Sequence, residues 1–220
     1  MNLALFDLDH TLLTGDSDVL WCDFLMDEGV LDRASFEPRN AQMESDYKAG
    51  SVDAQAFAGF YVSTLAGRSP AHWQPWRERF LQEVVAPRIP ARAHALVRRH
   101  RDAGDLVVMT TATNRFITEL TARHLHIEHL IATEAQVVEG VFSGQTEGVL
   151  NMREGKVTRL HAWLAQRGQH FEGFAHTVAY SDSINDLPLL KAAQEAVAVD
   201  PDDRLRAHAQ AAGWRTISLR

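Results

Sequence analysis

Short apolar runs that stop at polar residues recur along the chain. Leu3-Ala4-Leu5-Phe6 stops at Asp7, Leu106-Val107-Val108-Met109 at Thr110-Thr111, Thr177-Val178-Ala179-Tyr180 at Ser181-Asp182, and Ala196-Val197-Ala198-Val199 at Asp200-Pro201. Runs of this length with no polar interruption predict strands buried on both faces. Ile131-Ala132 predicts a shorter strand. Between them, Pro90 to Arg101, Asn114 to Leu125, Arg153 to Gln166 and Asp186 to Ala193 carry helical spacing. Strands alternating with helices predict an α/β fold around a parallel sheet. Val137 to Gly144 has the alternation and glycines of a β-hairpin.

The stretch from Thr14 to Val85 breaks this rhythm. It shows no convincing strand, and sets such as Val19, Leu20, Phe24 or Phe57, Phe60, Tyr61, Thr64 suit amphipathic helices. The chain therefore reads as a core, residues 1–14 and 86–220, interrupted by a helical insertion, residues 15–85. Ala86-Pro87-Arg88-Ile89-Pro90 predicts an extended return linker, because a residue before proline avoids the helical region.

Composition narrows the class. With 220 residues, 45% hydrophobic and 23% charged, the chain can bury a sizeable core and is not a disordered sequence. No apolar run approaches the roughly 18 residues of a membrane span, and no secretory signal pattern opens the chain, so a cytoplasmic location is expected. The single cysteine, Cys22, excludes an intrachain disulfide and a multi-cysteine zinc site, and it reads as a small core residue of the insertion's first helix. The formal net charge of −7 argues against nucleic acid as a partner. The charge is skewed: residues 15–87 hold twelve Asp/Glu against six Lys/Arg, and ten of the eighteen aromatic residues. An acidic, aromatic insertion is a candidate module for facing a substrate, or else a helical face bathed in solvent.

In an open parallel sheet, ligands bind beyond the carboxyl ends of the strands. Those ends here deliver Asp7-Leu8-Asp9-His10-Thr11, Thr110-Thr111 and Asp182-Ser183-Ile184-Asn185-Asp186, with Lys156 opening the helix before the fourth run. Several carboxylates in one crevice repel one another unless a cation joins them. Oxygen donors without a histidine or thiol pattern indicate Mg²⁺. A hard metal, a hydroxyl-bearing turn and a lysine suit a phosphoryl group. One carboxylate is then a candidate nucleophile, and a second, two residues on, a candidate acid/base. Lys156 stands out because the chain has only three lysines, Lys48, Lys156 and Lys191, among 22 basic residues.

Asp7-Leu8-Asp9-His10-Thr11-Leu12, the run ending at Thr110, Lys156, and Asp182 with Asp186 resemble, in order, the four motifs of the haloacid dehalogenase-like (HAD) phosphatases. The resemblance runs from residue 3 to about residue 200. It implies a Rossmann-like, HAD-like core, and the insertion after the first strand resembles the helical cap of the subgroup containing phosphoserine phosphatase. By that resemblance Asp7 is the nucleophile and Asp9 the acid/base. Mg²⁺ is held by Asp7, the Asp9 carbonyl and Asp182, with Asp186 in support. Thr110, the Thr111 backbone and Lys156 hold the phosphate. Many relatives carry Gly where this chain has His10, a position that shapes the turn; His can adopt left-handed geometry but at a greater cost than Gly, so a slightly different turn is expected.

The implied activity is Mg²⁺-dependent hydrolysis of a small phosphomonoester through an aspartyl-phosphate. A dehalogenase, a phosphomutase and a non-catalytic binding protein are the alternatives, and Asp9 argues against the first. In phosphoserine phosphatases a cap glutamate nine residues after the nucleophile meets the substrate amine, and this chain has Asp16 there. The cap arginine that pairs with the substrate carboxylate falls near Tyr61 instead, although Arg39 or Arg68 could supply a guanidinium. These two positions favour a substrate with an amine and no carboxylate. Histidinol phosphate fits, with Phe57, Phe60, Tyr61, Trp73 or Trp76 available to stack on its ring, and phosphoserine is the alternative.

Overall fold

The computed structural model describes residues 1–220, with the side chain of Lys48 excepted. The strands are β1 (Leu3–Phe6), β2 (Leu106–Asn114), β3 (His129–Val138), β4 (Val141–Glu147), β5 (Thr177–Ser181), β6 (Glu195–Val199) and β7 (Arg215–Ile217). Helices α1 (Ser17–Asp27), α2 (Arg33–Ala49), α3 (Ala54–Val62) and α4 (Pro70–Arg79) lie between β1 and β2, followed by α5 (Ala91–Asp102). The later helices are α6 (Arg115–His124), α7 (Glu154–Gln166), α8 (Leu187–Ala192) and α9 (Asp203–Ala212). The described strands form one sheet in the order β4-β3-β2-β1-β5-β6-β7, parallel except for the β3–β4 hairpin. Among the described residues no helix is long and apolar enough to cross a membrane.

Period-two alternation divides the central strands between two cores. Ala4, Phe6, Val107, Met109, Val178 and Tyr180 join one buried cluster; Leu3, Leu5, Leu106, Val108 and Ala179 join the other. This is why those runs lack a polar face. The second cluster is completed by Leu160 and Leu164 of α7, Leu189 and Leu190 of α8, and Leu205 of α9. The first takes in Ala93 and Val97 of α5 and Ile117 of α6, together with Trp21 and Phe24 of α1, Trp73 of α4, and Phe80. The insertion is therefore divided. Its α1 and α4 share a core with the sheet, whereas Phe57, Phe60 and Tyr61 of α3 form a third cluster with Cys22, Val52 and Met152.

Several expectations change. The linker is not extended throughout: Ala86–Arg88 is a 3-10 turn, because the φ of Pro87 suits the first turn of a helix, and only from Ile89 does the chain extend. Ile131-Ala132 sits within a ten-residue strand, since the alternating residues after it pair with β4. The β2 run continues through Thr110 to Asn114, where β-branched threonines keep the extended form. Helix α9 and strand β7, beyond Pro201, had no counterpart among the predicted elements. His100 is mostly buried between Asp105 (2.7 Å) and the Tyr180 hydroxyl (2.8 Å). Trp73 and Trp76, offered above as stacking partners for a ligand, pack with Trp21 and Phe24 instead.

Trp21 joins the insertion to the core. Its indole N–H donates to Thr64 Oγ1 at 3.1 Å, and the Thr64 hydroxyl donates to the Tyr61 carbonyl at 2.7 Å. A Thr64→Val substitution keeps the shape and strands a buried N–H, so it should lower unfolding stability by about 1–3 kcal/mol. The check is a urea titration, where the midpoint should fall at unchanged slope. An unshifted midpoint would mean that the indole finds another acceptor.

Candidate active site

The first acidic pair sits on a turn plugged into the core. Asp7 N–H donates to the Tyr180 carbonyl at 3.0 Å, prolonging the pairing of β1 with β5. The chain then folds back so that the N–H groups of Thr11, Leu12 and Leu13 converge on the Leu8 carbonyl, with all three leucines buried. His10 takes φ 56°, the left-handed geometry expected for a position where glycine is common. Asp9 is thereby turned toward the start of α1, where Ser17 N–H donates to its Oδ1 at 2.7 Å.

Lys156 crosses beneath this turn. Its ammonium lies 2.7 Å from Asp7 Oδ1 and 2.7 Å from Asp186 Oδ2, fully enclosed. Ser181 Oγ donates to the same Asp186 oxygen at 2.8 Å. The first turn of α7 reaches this depth because Gly155 carries no side chain: a Cβ there would stand 2.0 Å from the Leu150 carbonyl oxygen. Arg153, just before it, has φ 52° and ψ −124°, a sparsely populated conformation for a side-chain-bearing residue. Thr11, part of the first motif but without an expected role, bridges Asp7 and Asp182: its hydroxyl is 3.0 Å from Asp7 Oδ2 and 3.1 Å from Asp182 Oδ1, and it accepts from Asp182 N–H at 3.0 Å.

The two threonines of β2 divide their work. Thr110 Oγ1 accepts from Asn151 Nδ2 at 2.9 Å, and that amide also reaches the Thr111 and Ile131 carbonyls. Thr111 Oγ1 instead donates to Asp9 Oδ2 at 3.1 Å. Successive strand side chains point to opposite faces, so the hydroxyl among the carboxylates belongs to Thr111, which corrects the expectation for Thr110.

Burial dominates the electrostatics. Asp7 is pushed up to about 7, first by burial, with Asp186 and Asp9 adding to the rise and Lys156 opposing it. Asp182 is raised by burial, then by Asp7 and Asp186. Burial works against the Lys156 ammonium, but Asp186 and Asp7 outweigh it and keep it charged. One cation among Asp7, Asp182 and Asp186 leaves negative charge uncompensated. Among the described residues no three His, Cys, Asp or Glu side chains form a metal-binding group by themselves. Asp7, Asp182 and the Asp9 carbonyl still fit a hard cation that keeps several waters, and their excess charge favours one.

The insertion closes over these groups. The Tyr47 phenol of α2 is held above its ordinary range by burial and then by Asp186, Asp7, Asp182 and Asp16, which places it in the field of the site carboxylates. Its ring stacks on Phe57 at 4.9 Å. Asn185 Nδ2 donates to the Tyr47 carbonyl at 3.4 Å, and Arg153 donates to the Gly50 and Val52 carbonyls at 3.2 and 3.3 Å. Asp16 caps α1, its Oδ1 accepting from the N–H groups of Asp18 and Val19, and burial with the nearby Asp9 pushes it up to about 8. Tyr61 is buried and its hydroxyl has no partner. Arg39 lies over the Phe36 and Phe60 rings and Arg68 is exposed, so neither replaces a guanidinium beside Asp16. Sequence reasoning missed Tyr47, Asp18 and Thr113. Only Asp18 had a signal, a second acid beside Asp16.

The family model of the haloacid dehalogenase-like hydrolases matches residues 4–191. A histidinol-phosphatase from Neisseria meningitidis is 37% identical over 220 residues, spanning 100% of this chain and 99% of that protein. A phosphoserine phosphatase from Mycobacterium tuberculosis is 31% identical over 99% of this chain and 70% of that protein. The crystal structure of a protein of unknown function from Bordetella pertussis Tohama I is similar at a TM-score of 0.94 and 43% identity, covering 100% of this chain and 99% of that one. A substrate-bound phosphoserine phosphatase shares the fold, with a TM-score of 0.70 at 18% identity over 98% of this chain and 91% of that one.

Asp16, which has no cation beside it, holds a proton in the folded protein where an unfolded chain, with carboxyls near about 4, has released it. That stabilising contribution is complete below the unfolded value and is lost as pH rises through about 8. In a chelator, the melting temperature should therefore fall from about pH 5 to about pH 8.5, and Asp16→Asn should flatten the upper part of the decline. A melting temperature that is level or rising across this interval would contradict the assignment of buried, proton-holding acids.

Proposed function

Because the chain belongs to the haloacid dehalogenase-like hydrolase family and is one of its phosphatases, we propose that it hydrolyses a small phosphomonoester with a cationic leaving group, histidinol phosphate foremost, using Mg²⁺. The observation that carries this reading is the Asp7–Lys156–Asp186 chain at the strand ends, with Asp9 on the adjoining turn. Asp7 is the nucleophile: its carboxylate attacks phosphorus, and the bond to the leaving oxygen breaks. Asp9 gives that oxygen a proton. It then takes one from the water that attacks the aspartyl-phosphate, and the break from Asp7 releases inorganic phosphate. Two of the three ammonium hydrogens of Lys156 serve Asp7 and Asp186, leaving the third for a phosphoryl oxygen. The Thr111 hydroxyl and the backbone at Thr110 and Thr111 complete the phosphate contacts. Asp7, Asp182 and the Asp9 carbonyl would hold Mg²⁺, which when bound offsets charge on the phosphoryl group.

The substrate assignment rests on what surrounds Asp16. With Oδ1 used as the cap, Oδ2 is left for an ammonium, and the neighbouring Tyr61 offers a phenol where a substrate carboxylate would need a guanidinium. Arg153 is held by the Gly50 and Val52 carbonyls. A buried carboxylate lacking its cation is costly, which disfavours phosphoserine and suits an amine with a neutral or cationic ring. The histidinol-phosphatase relative at 37% identity supports the same choice.

Phosphate release over a panel of metabolite phosphates tests this. The kcat/KM for histidinol phosphate should exceed that for phosphoserine by at least about tenfold, turnover should need Mg²⁺, and Asp7→Asn should abolish it. A preference for phosphoserine would overturn the substrate assignment, and turnover by Asp7→Asn would overturn the chemistry.

A further inference from the structure

Behind Asp9 lies a second, wholly buried acid that the mechanism above does not use. Asp18 sits in the first turn of α1, with Oδ2 2.9 Å from Thr113 Oγ1. The same hydroxyl oxygen is 3.1 Å from Asp9 Oδ2, and Ser17 Oγ donates to it at 3.2 Å. Thr113 has one hydroxyl hydrogen and two carboxyl groups competing for it. If both were ionised, the nearer Asp18 would take the proton and Asp9 would lose a donor. Two negative charges would also share one hydroxyl in a buried space. Asp16, Asp9, Tyr61 and Cys22 are the titratable groups around Asp18, and among the described residues no Lys, Arg or His is bonded to it.

One proton on Asp18 resolves the count. Asp18 then donates to Thr113, Ser17 donates to the other lone pair of the same oxygen, and the Thr113 hydrogen goes to Asp9. Asp9 receives Ser17 N–H, Thr111 Oγ1 and Thr113 Oγ1 together. The remaining Asp18 oxygen, Oδ1, is buried with no partner, a tolerable state for the carbonyl of a neutral acid and a costly one for a carboxylate. Burial, then Asp16 and Asp9, act in the same direction by raising the Asp18 carboxyl above its ordinary range.

We propose that Asp18 is a positioning residue for the acid/base carboxylate: as a neutral acid it donates to Thr113, which fixes the Thr113 proton on Asp9 and holds that side chain in one orientation. This rests on the reading of Asp9 as the acid/base. With Mg²⁺ and histidinol phosphate, Asp18→Ala and Thr113→Val should lower kcat by about 10²-fold while KM moves little, because the loss is one of orientation. Asp18→Asn keeps a donor and an acceptor, and Thr113→Ser keeps the hydroxyl, so both should restore most of the turnover. The infrared spectrum should show a protonated carboxylic-acid carbonyl band that Asp18→Asn removes. The proposal is overturned if Asp18→Asn loses as much turnover as Asp18→Ala, if that band is missing, or if only KM for amine-bearing substrates rises. Asp9→Asn separates the two levels: turnover at the parental rate removes the acid/base reading and the proposal with it, whereas a dead Asp9→Asn beside a fully active Asp18→Ala removes the proposal alone.

Discussion

A lysine ammonium buried between two carboxylates sets the terms for everything around it. Lys156 reaches Asp7 and Asp186 at 2.7 Å each, on elements that meet only in the folded protein. Removing one member of such a pair typically costs about 3–5 kcal/mol, because the other charge is left stranded in a low-dielectric interior. Three surrounding features keep the ammonium in place. The bare Gly155 lets α7 approach the Leu150 carbonyl, Asn151 fastens the ends of β2 and β3, and Ser181 shares Asp186. The same arrangement holds one oxygen of Asp7 on Lys156 while Thr11 holds the other. A carboxylate fixed at both oxygens keeps one orientation, which suits the attack proposed for Asp7.

The site concentrates more negative charge than its one lysine can balance, and the fold tolerates this in two ways. Asp7, Asp182 and Asp186 share Lys156 and hydroxyl donors at the strand ends, where a hard cation fits. Asp16 and Asp18, on α1, have no cation and depend on backbone N–H groups, a threonine and raised proton affinity. A helix N-terminus is a favourable place for acids, since its free N–H groups point toward them. Placing α1 directly after the turn that carries Asp9 therefore lets one helix end serve Asp9, through Ser17, and the proposed substrate amine, through Asp16.

The insertion has two mechanical parts. Trp21, Phe24, Trp73 and Phe80 bind α1 and α4 into the sheet's own core, so the part that carries Asp16 and Asp18 is rigidly placed. By contrast, α2 packs on α1 and, through Phe36 and Tyr47, on Phe60 and Phe57 of α3, which itself lies against β2 and β4; Arg153 and Arg204 donate to carbonyls near the end of α2. Cations at a helix C-terminus complement its dipole, and these contacts join the apolar packing of the third cluster in bringing Tyr47 toward the carboxylates.

Sequence by itself determined the sheet, the insertion and the acids at the strand ends. Unbroken apolar runs ending in Asp or Thr are local patterns, and so is the scarcity of lysine that singled out Lys156. The backbone at His10 was approached only through the resemblance to relatives that carry Gly there, and its left-handed form came from the structure. The choice of Thr111 over Thr110 was legible only as a strand register; the hairpin at Val137 to Gly144 was legible but not the full length of β3 and β4, and the terminal β7 was not legible at all. Tertiary structure alone decided which groups share a proton or a charge. Lys156 meets Asp7 across 149 residues, and Thr113 meets Asp18 across 95. No periodicity carries information over such separations, since they are set by how α7 and the first helix of the insertion pack onto the ends of the sheet.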